Sequence, residues 1–539
     1  MSALDVLRQI KQARKGEAGK QEAVPWGNMD YINDVGVENL SRRDLKNHLE
    51  ARDLEVQGTR LELIERLRNS IADEELNRFA VTETLEADFL IQKEIEERGS
   101  VYAIGCNNKG QLGVGDLNNR KIWTAIQQLK GMSVGYLDAS YDMVFAVTDD
   151  HEVYVWGGGG SGKTAIDPKA GRADVLPGQA IHENYIEPQI VRDLRGEEII
   201  SVAAGSAHCM AVGKGGDCFV WGDNDAGQLG LGHFKHHPLI AVNNSFPAVD
   251  TAIVGGNHSV IMTKQNGLLY TWGHAANGRL GLGHLERVGV PEEERFYFPL
   301  PKALDTLEQI RQISCGADHT LALGASGVWA WGNGAGGRLG QGDHKDRTSP
   351  VLVPRIKGKC VSYIAASNWY SMAIVVHPPL LAGGWVYSWG SGYHGQLGHG
   401  AMTICMLPEP IEYFVKYHIN VSKIYAGSHH VFIVTSEQEM YSWGSNRYNC
   451  CGRKLQERGV EYSGEPGHVS GFGVIVDKVG IGFPRTITLG QEFTIISTFP
   501  YEGPDLTVAT KLMEEAKIRE QEAALKNQGK ENNDDEVVG

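Results

Sequence analysis

The chain repeats one short pattern seven times, and this repeat limits the fold more than any other feature of the sequence. Each copy is a run of β-branched and aromatic residues that ends in glycine, which predicts a strand followed by a turn. The copies are VYAIG (101–105), VYVWG (153–157), CFVWG (218–222), LYTWG (269–273), VWAWG (328–332), VYSWG (386–390) and MYSWG (440–444). Because the final glycines are 51 to 65 residues apart, one structural unit recurs along most of the chain.

Two further patterns surround each aromatic strand. A glycine-rich segment follows most copies, as in GCNNKGQLGVG (105–115) and GDNDAGQLGLG (222–232). An apolar strand that opens with Ala or Gly and often His precedes them, as in AAGSAHCMAV and VGGNHSVIMT. Polar turns such as KGGD join the apolar strand to the aromatic one, so each unit contains a β-hairpin. The 67 glycines of the chain agree with many tight turns.

Seven units of about four strands each predict a seven-bladed β-propeller over residues 99–500, and a mainly β fold. The last apolar strand, TITLGQEFTIIST (486–498), has no aromatic strand after it, and the first aromatic strand, GSVYAIG (99–105), has no apolar strand before it. Pairing these two strands would complete one blade from both ends of the repeat region. It would also remove an exposed sheet edge.

The segment VWGGGGSGKT (155–164) matches the phosphate-loop template G-x-x-x-x-G-K-[ST]. The repeat already demands its main glycines, since Gly157 ends an aromatic strand and Gly162 occupies the shared turn position. A phosphate loop needs a helix that starts at Gly-Lys-Thr, whereas Pro168 and Gly171 interrupt any such helix. We therefore interpret the match as a propeller turn with a glycine-rich insertion. We expect no enzyme, no cofactor and no bound metal.

The combination of WGxNxxGQLGxG with AGxxHxxALT resembles the regulator of chromosome condensation repeat, over about residues 100–498. The resemblance implies a seven-bladed propeller. The founding member of the family exchanges nucleotide on the small GTPase Ran, with acidic residues in two AGxxH-type loops and a histidine in a third. Ser206, Asn257 and Trp369 occupy the matching positions of this chain. The resemblance therefore implies the fold more strongly than the exchange activity.

Aromatic and histidine residues recur at fixed places in the repeat. Because the tryptophans at 156, 221, 272, 331, 389 and 443 share one position, we predict that they pack between blades. Candidate residues on the propeller face, near the channel mouth, are His208, His258, Asp318, His319, His429 and His430. For the histidines we favour hydrogen bonds that stabilise turns over a metal site. HFKHH (233–237) is a weak metal signal, and the inserts at 158–188 and 445–485 are candidate specificity loops.

Residues 36–71 predict a small helical module. Ser41 with Asp44, and Thr59 with Glu62, fit helix-capping pairs. The segment is similar to a SAP motif, a helix–extended loop–helix module, and this resemblance implies binding to DNA or RNA. Candidate nucleic-acid contacts are Arg42, Arg43, Lys46, Arg60 and Arg66. Residues 37–70 hold seven acidic and seven basic residues, so a solvated charged face or a protein-binding module is the alternative.

The remaining segments have less specific patterns. We predict an N-terminal extension at 1–35, a helical linker at 72–98 and a tail at 501–539 that is first helical and then disordered. No 18-residue apolar run and no signal-peptide core occur, so we expect an intracellular protein without a membrane partner. The eight cysteines contain no C-x-x-C pair and are expected to be free thiols.

Three functions fit these observations. The net charge of −15 argues against nucleic-acid binding by the whole surface. We favour a binding scaffold, in which the propeller holds a protein partner and the SAP-like module tethers it to DNA or RNA, most simply in the nucleus. The alternatives are a guanine-nucleotide exchange factor for a Ran-like GTPase, and a structural component of a cytoskeletal, ciliary or organellar assembly.

Overall fold

The computed structural model describes residues 100–166, 184–284, 289–307, 309–377, 383–453, 461–469 and 483–499, together with Gln57, Ile64 and Leu67. In chain order the strands are β1 (Val101–Gly105), β2 (Arg120–Ala125), β3 (Val134–Ala139), β4 (Met143–Thr148), β5 (Val153–Gly157), β6 (Tyr185–Ile190), β7 (Ile199–Ala204), β8 (His208–Gly213), β9 (Cys218–Gly222), β10 (His237–Val242), β11 (Val249–Val254), β12 (His258–Thr263), β13 (Leu269–His274) and β14 (Tyr297–Ala303). They continue as β15 (Ile310–Cys315), β16 (His319–Gly324), β17 (Gly327–Gly332), β18 (Arg347–Leu352), β19 (Cys360–Ala366), β20 (Tyr370–Val376), β21 (Trp385–Ser391), β22 (Ile404–Pro410), β23 (Val421–Ala426), β24 (His430–Thr435), β25 (Met440–Ser445), β26 (Tyr462–His468), β27 (Pro484–Leu489) and β28 (Phe493–Thr498).

Helical structure in the propeller is confined to short connecting turns. The α-helix α1 spans Glu412–Lys416. The 3-10 turns are Gln127–Leu129, Gly160–Gly162, Arg192–Leu194, Ala276–Gly278, Glu292–Glu294, Ala335–Gly337, Pro354–Ile356 and Arg447–Asn449. Each is too short to form an independent layer, so the described part of the propeller is a β structure.

The strands pair into seven four-stranded antiparallel sheets within the described residues. Blade 1 has the order β2-β1-β28-β27, and blades 2 to 7 are β3–β6, β7–β10, β11–β14, β15–β18, β19–β22 and β23–β26. The strands β3, β7, β11, β15, β19, β23 and β27 line one central cavity and are the inner strands. The aromatic strand of the repeat is the third strand of each blade. The predicted seven-bladed propeller is thus confirmed.

Blade 1 is built from both ends of the propeller, as the strand count predicted. The aromatic strand β1 pairs antiparallel with β28, from Val101 opposite Ser497 to Gly105 opposite Phe493. Strand β28 pairs in turn with the inner strand β27. The ring is therefore closed by hydrogen bonds between strands that are almost 400 residues apart in sequence. No edge of blade 1 is left open where the chain enters and leaves the ring.

The core lies between neighbouring blades, and the repeated tryptophans are at its centre. All six are completely buried. Each indole Nε1 donates to a backbone carbonyl of the preceding blade at 2.6 to 3.1 Å; the acceptors are Gln111, Lys163, Gln228, Arg279, Arg338 and Gln396. These bonds satisfy the one polar atom of the indole inside an apolar interface. The predicted packing between blades is confirmed.

Blade 1 has Ile104 where the other blades have tryptophan, and Trp123 fills the vacated space from the outer strand β2. A Cβ atom on Gly452 of blade 7 would lie 2.4 Å from the Trp123 indole, much as Gly113 of blade 1 abuts Trp156. Trp123 also contacts Phe432 edge-on, at 6.4 Å between ring centroids. The sequence analysis missed this substitute because Trp123 does not occupy the repeated position.

The N-terminal and C-terminal predictions fall mostly outside the described residues. The chain divides into two compact units, Met1–Lys93 and Glu94–Gly539. In the first unit Ile64 and Leu67 are helical and buried, and Gln57 is exposed. The rest of the predicted SAP-like module, the extension at 1–35, the linker at 72–98 and the tail at 501–539 stay predictions. Parts of the two predicted specificity inserts, 167–183, 454–460 and 470–482, also lie outside the described residues.

Candidate functional site

Two sets of loops lie on one side of the propeller, which we call the loop face. One set joins each inner strand to the second strand, and the other joins the third strand to the outer strand. Both sets emerge on the same side because the first and third strands of an antiparallel sheet run in the same direction. The hairpins between second and third strands lie on the opposite side.

Four of the predicted face residues are buried between blades and not on the loop face. His208, His258, His319 and His430 each begin a second strand and are completely buried. Each Nε2 atom contacts a hydroxyl group of the next blade at 2.8 to 3.2 Å; the partners are Ser259, Thr320, Ser371 and Thr494. The histidines therefore join neighbouring blades. The expected hydrogen bonds exist, but they cross between blades.

The hydroxyl partners extend this network further. Ser259 donates to the carbonyl of Gln228, Ser371 to that of Arg338, and Thr494 to that of Cys450, at 2.7 to 2.8 Å. Burial lowers the pKa of His208, His319 and His430 to about 3, and that of His258 well below its usual value. All four imidazoles are therefore neutral at physiological pH. Their Nε2 atoms are occupied by hydrogen bonds to side chains of the next blade.

The loop face carries a ring of equivalent positions that can be compared from blade to blade. The first set of positions immediately precedes the second strand of each blade, two residues after a Gly or Ser: Asp142, Ala207, Asn257, Asp318, Trp369, His429 and Glu492. The second set lies in the loop from the third to the outer strand and follows the shared turn glycine, or Asn449 in blade 7: Gln111, Lys163, Gln228, Arg279, Arg338, Gln396 and Cys450. Three of the second set are cations, namely Lys163, Arg279 and Arg338.

Two of these cations have carboxylate partners. Lys163 Nζ lies 3.3 Å from Asp142, and its carbonyl accepts the Trp221 indole hydrogen at 2.6 Å. The lysine of the phosphate-loop-like segment is therefore 6% exposed and engaged inside the repeat, at the end of a 3-10 turn. Arg279 Nη1 lies 2.7 Å from Asp318, which is the partly exposed predicted face residue.

The third cation, Arg338, has an indole in place of the carboxylate. Its guanidinium carbon lies 4.5 Å from the ring centroid of Trp369. Its Nε donates to the carbonyl of Ala335 at 2.7 Å and its Nη1 to that of Asn368 at 2.9 Å. Only 1% of the Arg338 surface is exposed, and it forms no ion pair with any carboxylate of the described residues.

A groove of about 380 Å³ opens beside this pair, and we call it the Arg338 groove. Its walls include Trp369, Tyr393, His394 and His429, which come from blades 6 and 7. Burial lowers the pKa of His429 to about 4, and it also lowers the pKa of His394. Both imidazoles are neutral near pH 7, so Arg338 is the charged group of the lining. The structure thus places His429, a predicted face residue, in a groove. The sequence analysis did not predict which other residues would line that groove with it.

The central channel has a volume of about 490 Å³ and is lined by all seven inner strands. Asp138 accepts a hydrogen bond from the backbone N–H of Ala204 at 2.8 Å, and burial raises its pKa to about 7. At the mouth, Asn368 Nδ2 donates to the hydroxyl of Tyr141 at 3.2 Å. This bond joins blades 2 and 6 across the channel opening.

The HFKHH segment contributes one cluster of side chains with metal-ligating atoms, Asp223, Asp225 and His236. His236 Nδ1 lies 3.0 Å from Asp223, and its Nε2 lies 2.7 Å from Asp225. The carboxylates thus contact opposite nitrogens of the ring, whereas one ion binds an imidazole through one nitrogen. The geometry is that of a hydrogen-bonded His–Asp cluster.

The predicted nucleic-acid contacts Arg42, Arg43, Lys46, Arg60 and Arg66 lie outside the described residues. Among the residues that are described, no helix is both long enough and apolar enough to cross a lipid bilayer. The functional residues that the sequence analysis missed are Arg338 and Tyr393. The signal was available in the repeat, because Arg338 faces a tryptophan at the position where Arg279 faces an aspartate.

Comparison with known proteins identifies close matches over the propeller. Residues 217–498, more than half of the chain, match the RCC1-like domain. Residues 98–147 and 199–228 match the regulator of chromosome condensation (RCC1) repeat. The E3 ubiquitin-protein ligase HERC2 of Homo sapiens is 29% identical over 355 residues, which are 65% of this chain and 7% of HERC2. The ultraviolet-B receptor UVR8 of Arabidopsis thaliana is 31% identical over 277 residues, which are 50% of this chain and 58% of UVR8.

The solved structure of Prp20p from Saccharomyces cerevisiae has the same fold, with a TM-score of 0.61 at 18% identity over 78% of this chain and 95% of that one. One expectation is corrected by these relatives. The prediction that the chain is not an enzyme is contradicted, because HERC2 is a ligase that matches over 65% of this chain. The repeat therefore does not separate binding proteins from enzymes. This chain spans less than two thirds of the length of HERC2 and of UVR8. On the match over 217–498, the chain belongs to the RCC1-like domain family.

Proposed function

We propose that this chain is a protein-interaction propeller that binds a partner protein on its loop face. The observation that carries the proposal is a group of exposed aromatic side chains on this face. Tyr141, Trp369, Tyr393 and Tyr448 are 42%, 49%, 61% and 40% exposed. Tyrosine and tryptophan contribute most to binding energy in protein interfaces, because they bury much surface and still offer a hydrogen-bonding group.

The scaffold beneath these side chains supports this use. Burial of the tryptophans and histidines between blades fixes the loop face, so partner-binding side chains lose little freedom on binding. The names of the relatives point to different activities, a ubiquitin ligase in one case and a light receptor in another. The Prp20p structure is described together with binding to Gsp1p and histones. The common element is a propeller, and the specificity belongs to loops on it.

Site-specific photo-crosslinking tests the proposal in cells. A photoreactive amino acid is placed at Tyr393 on the loop face, and in a matched chain at Glu437, which is exposed in the hairpin between β24 and β25 on the opposite side. A discrete crosslinked partner from position 393 but not from 437 is the expected result. Equal crosslinking from both positions, or none from 393, would remove the loop face as the binding surface.

A DNA or RNA tether is the second part of the proposal, and it rests on the sequence of residues 36–71. Its test is binding of the full chain to duplex DNA and to single-stranded RNA over a salt series. Replacement of Arg42, Arg43 and Lys46 by glutamine should lower both the affinity and the salt dependence. A variant with fewer phosphate contacts releases fewer counterions when it binds. Equal binding by the variant would exclude these residues as contacts. The proposed nuclear location follows from the same tether and is tested by imaging the tagged full chain.

The exchange-factor and assembly alternatives stay predictions. The positions that match the exchange loops carry Ser206, Asn257 and Trp369, so the resemblance does not supply the acidic and histidine groups there. Release of labelled GDP from Ran in the presence of the full chain separates this alternative from a binding function without exchange. Sedimentation with purified cytoskeletal filaments addresses the assembly alternative.

A further inference from the structure

The blades provide their own comparison for Arg338. Lys163 contacts Asp142 within blade 2. At the junction of blades 4 and 5, Arg279 contacts Asp318, so a cation of one blade meets a carboxylate of the next. At the junction of blades 5 and 6, the same backbone positions hold Arg338 and Trp369. The cation is retained, and its anion is replaced by an indole. Packing at this position does not require arginine, because the equivalent position of blades 1, 3 and 6 is glutamine.

A buried guanidinium without a carboxylate is energetically unfavourable unless other groups compensate for lost water. Two carbonyls and the Trp369 ring supply part of this compensation. Nη2 of Arg338 has no hydrogen-bond or ion-pair partner among the described residues. Burial lowers the pKa of Arg338, and the charges of Asp318 and Asp346, which do not form an ion pair with it, raise that pKa by less. The guanidinium therefore lacks a contacting carboxylate among the described residues.

The Arg338 groove joins this charge to an apolar surface. Trp369 and Tyr393 are 49% and 61% exposed, and the apolar side chains of Ile404 and Ala335 also line the groove. The neutral imidazoles of His394 and His429 add no competing charge. The groove is complementary to an acidic group that has an aromatic or aliphatic neighbour.

We propose that the Arg338 groove binds an extended segment of the partner protein, in which an internal Asp or Glu side chain pairs with Arg338 and an adjacent aromatic or aliphatic side chain packs between Trp369 and Tyr393. This inference rests on the proposed function, since it names the chemistry of the partner that the loop face takes. The net charge of −15 disfavours binding of an acidic partner segment elsewhere on the surface. A single cation at the end of an apolar groove therefore directs such a segment to this site.

Selection from a peptide display library tests the proposal with the full chain as the bait. The library is presented in two formats, with peptides fused internally and with free C-termini. We expect an enriched consensus of Asp or Glu next to Trp, Phe or Leu in both formats. An enriched peptide should bind at least tenfold more weakly to Arg338→Gln, whose new side chain is native at this position in three other blades.

Trp369→Asp provides an independent variant, because it reproduces at the groove the Arg279–Asp318 ion pair of blades 4 and 5 and supplies the missing anion from within the chain. It should also weaken the acidic peptide at least tenfold while leaving the cation in place. Arg355→Gln is the control, since Arg355 is exposed in the turn between β18 and β19 on the opposite side, and it should change affinity less than twofold.

The outcomes separate the inference from the proposed function. A consensus without an acidic residue, equal binding by Arg338→Gln, or a requirement for a free C-terminal carboxylate would overturn the inference. If crosslinking from position 393 persists in any of these cases, the loop face stays the interaction surface. Loss of that crosslink together with an absent consensus would overturn both.

Discussion

Acid should destabilise this propeller through its buried histidines. His208, His319 and His430 have a pKa of about 3 in the folded chain because burial disfavours their charged forms. In the unfolded chain each returns to about 6.5. Between these two values the unfolded state binds more protons than the folded state. Folding stability is therefore present above the unfolded pKa and is lost as the pH falls from about 6.5 towards 3.

The size of the effect follows from these values. On going from pH 7 to pH 5, each of the three histidines costs on the order of 2 kcal/mol of unfolding free energy, or about 6 kcal/mol together. His258 acts in the same direction, since burial lowers its pKa as well. Because the total stability of a folded protein is about 5–15 kcal/mol, the propeller should be close to unfolding near pH 5.

The assay is urea unfolding followed by tryptophan fluorescence at pH 7, 6 and 5, since the six repeated tryptophans are completely buried. His208→Met is the test variant, because Met143 occupies the equivalent position in blade 2. It should reduce the loss of stability between pH 7 and pH 5 by about 2 kcal/mol. Replacement of the exposed His344 by glutamine should leave the loss unchanged. If His208→Met is as acid-sensitive as the natural chain, His208 does not enter the folded state as a neutral imidazole.

Three further changes test the packing of the ring. Trp123→Ala should cost about 3–5 kcal/mol by opening a cavity at the junction of blades 7 and 1, and thermal unfolding with limited proteolysis would show it. Gly113→Ala should cost about 2–4 kcal/mol, because it adds a clash with the indole of blade 2 to the strain of a positive φ, whereas Gly196→Ala, also at positive φ but in open space, should cost about 1–2 kcal/mol. Asp318→Asn should cost about 1–3 kcal/mol in urea unfolding, since it leaves the Arg279 guanidinium without its carboxylate; a loss below 0.5 kcal/mol would show that the ion pair is replaced by solvent.

The sequence predicted the parts of the fold that follow from the number and order of the repeated strands. The unpaired apolar strand at 486–498 and the unpaired aromatic strand at 99–105 required each other, so ring closure followed from the repeat. The tryptophans shared one position in each unit, and that position had to be equivalent in every blade. A repeat thus turns one local pattern into a global arrangement.

Side-chain direction and contacts between blades were harder to predict. The AGxxH pattern places His319 at the first residue of a strand and Asp318 immediately before it, and only the structure shows that the former points between blades and the latter to the loop face. Trp123 lies outside the repeated position. The Arg338 groove joins side chains from three blades, and a linear pattern does not show which of these loops meet.

The clasp formed by β1 and β28 has a consequence for synthesis. A ribosome releases β1 nearly 400 residues before its partner strand. During that interval the apolar edge of β1 has no mate, and the early blades form an open arc. A product that is truncated before residue 493 lacks β28 and cannot close the ring. Premature termination within the repeats therefore yields a chain in which the first and last blades expose unpaired surfaces that can aggregate. Chaperone demand should therefore rise with the time needed to translate the ring, and it should fall once the hairpin of β27 and β28 pairs with β1.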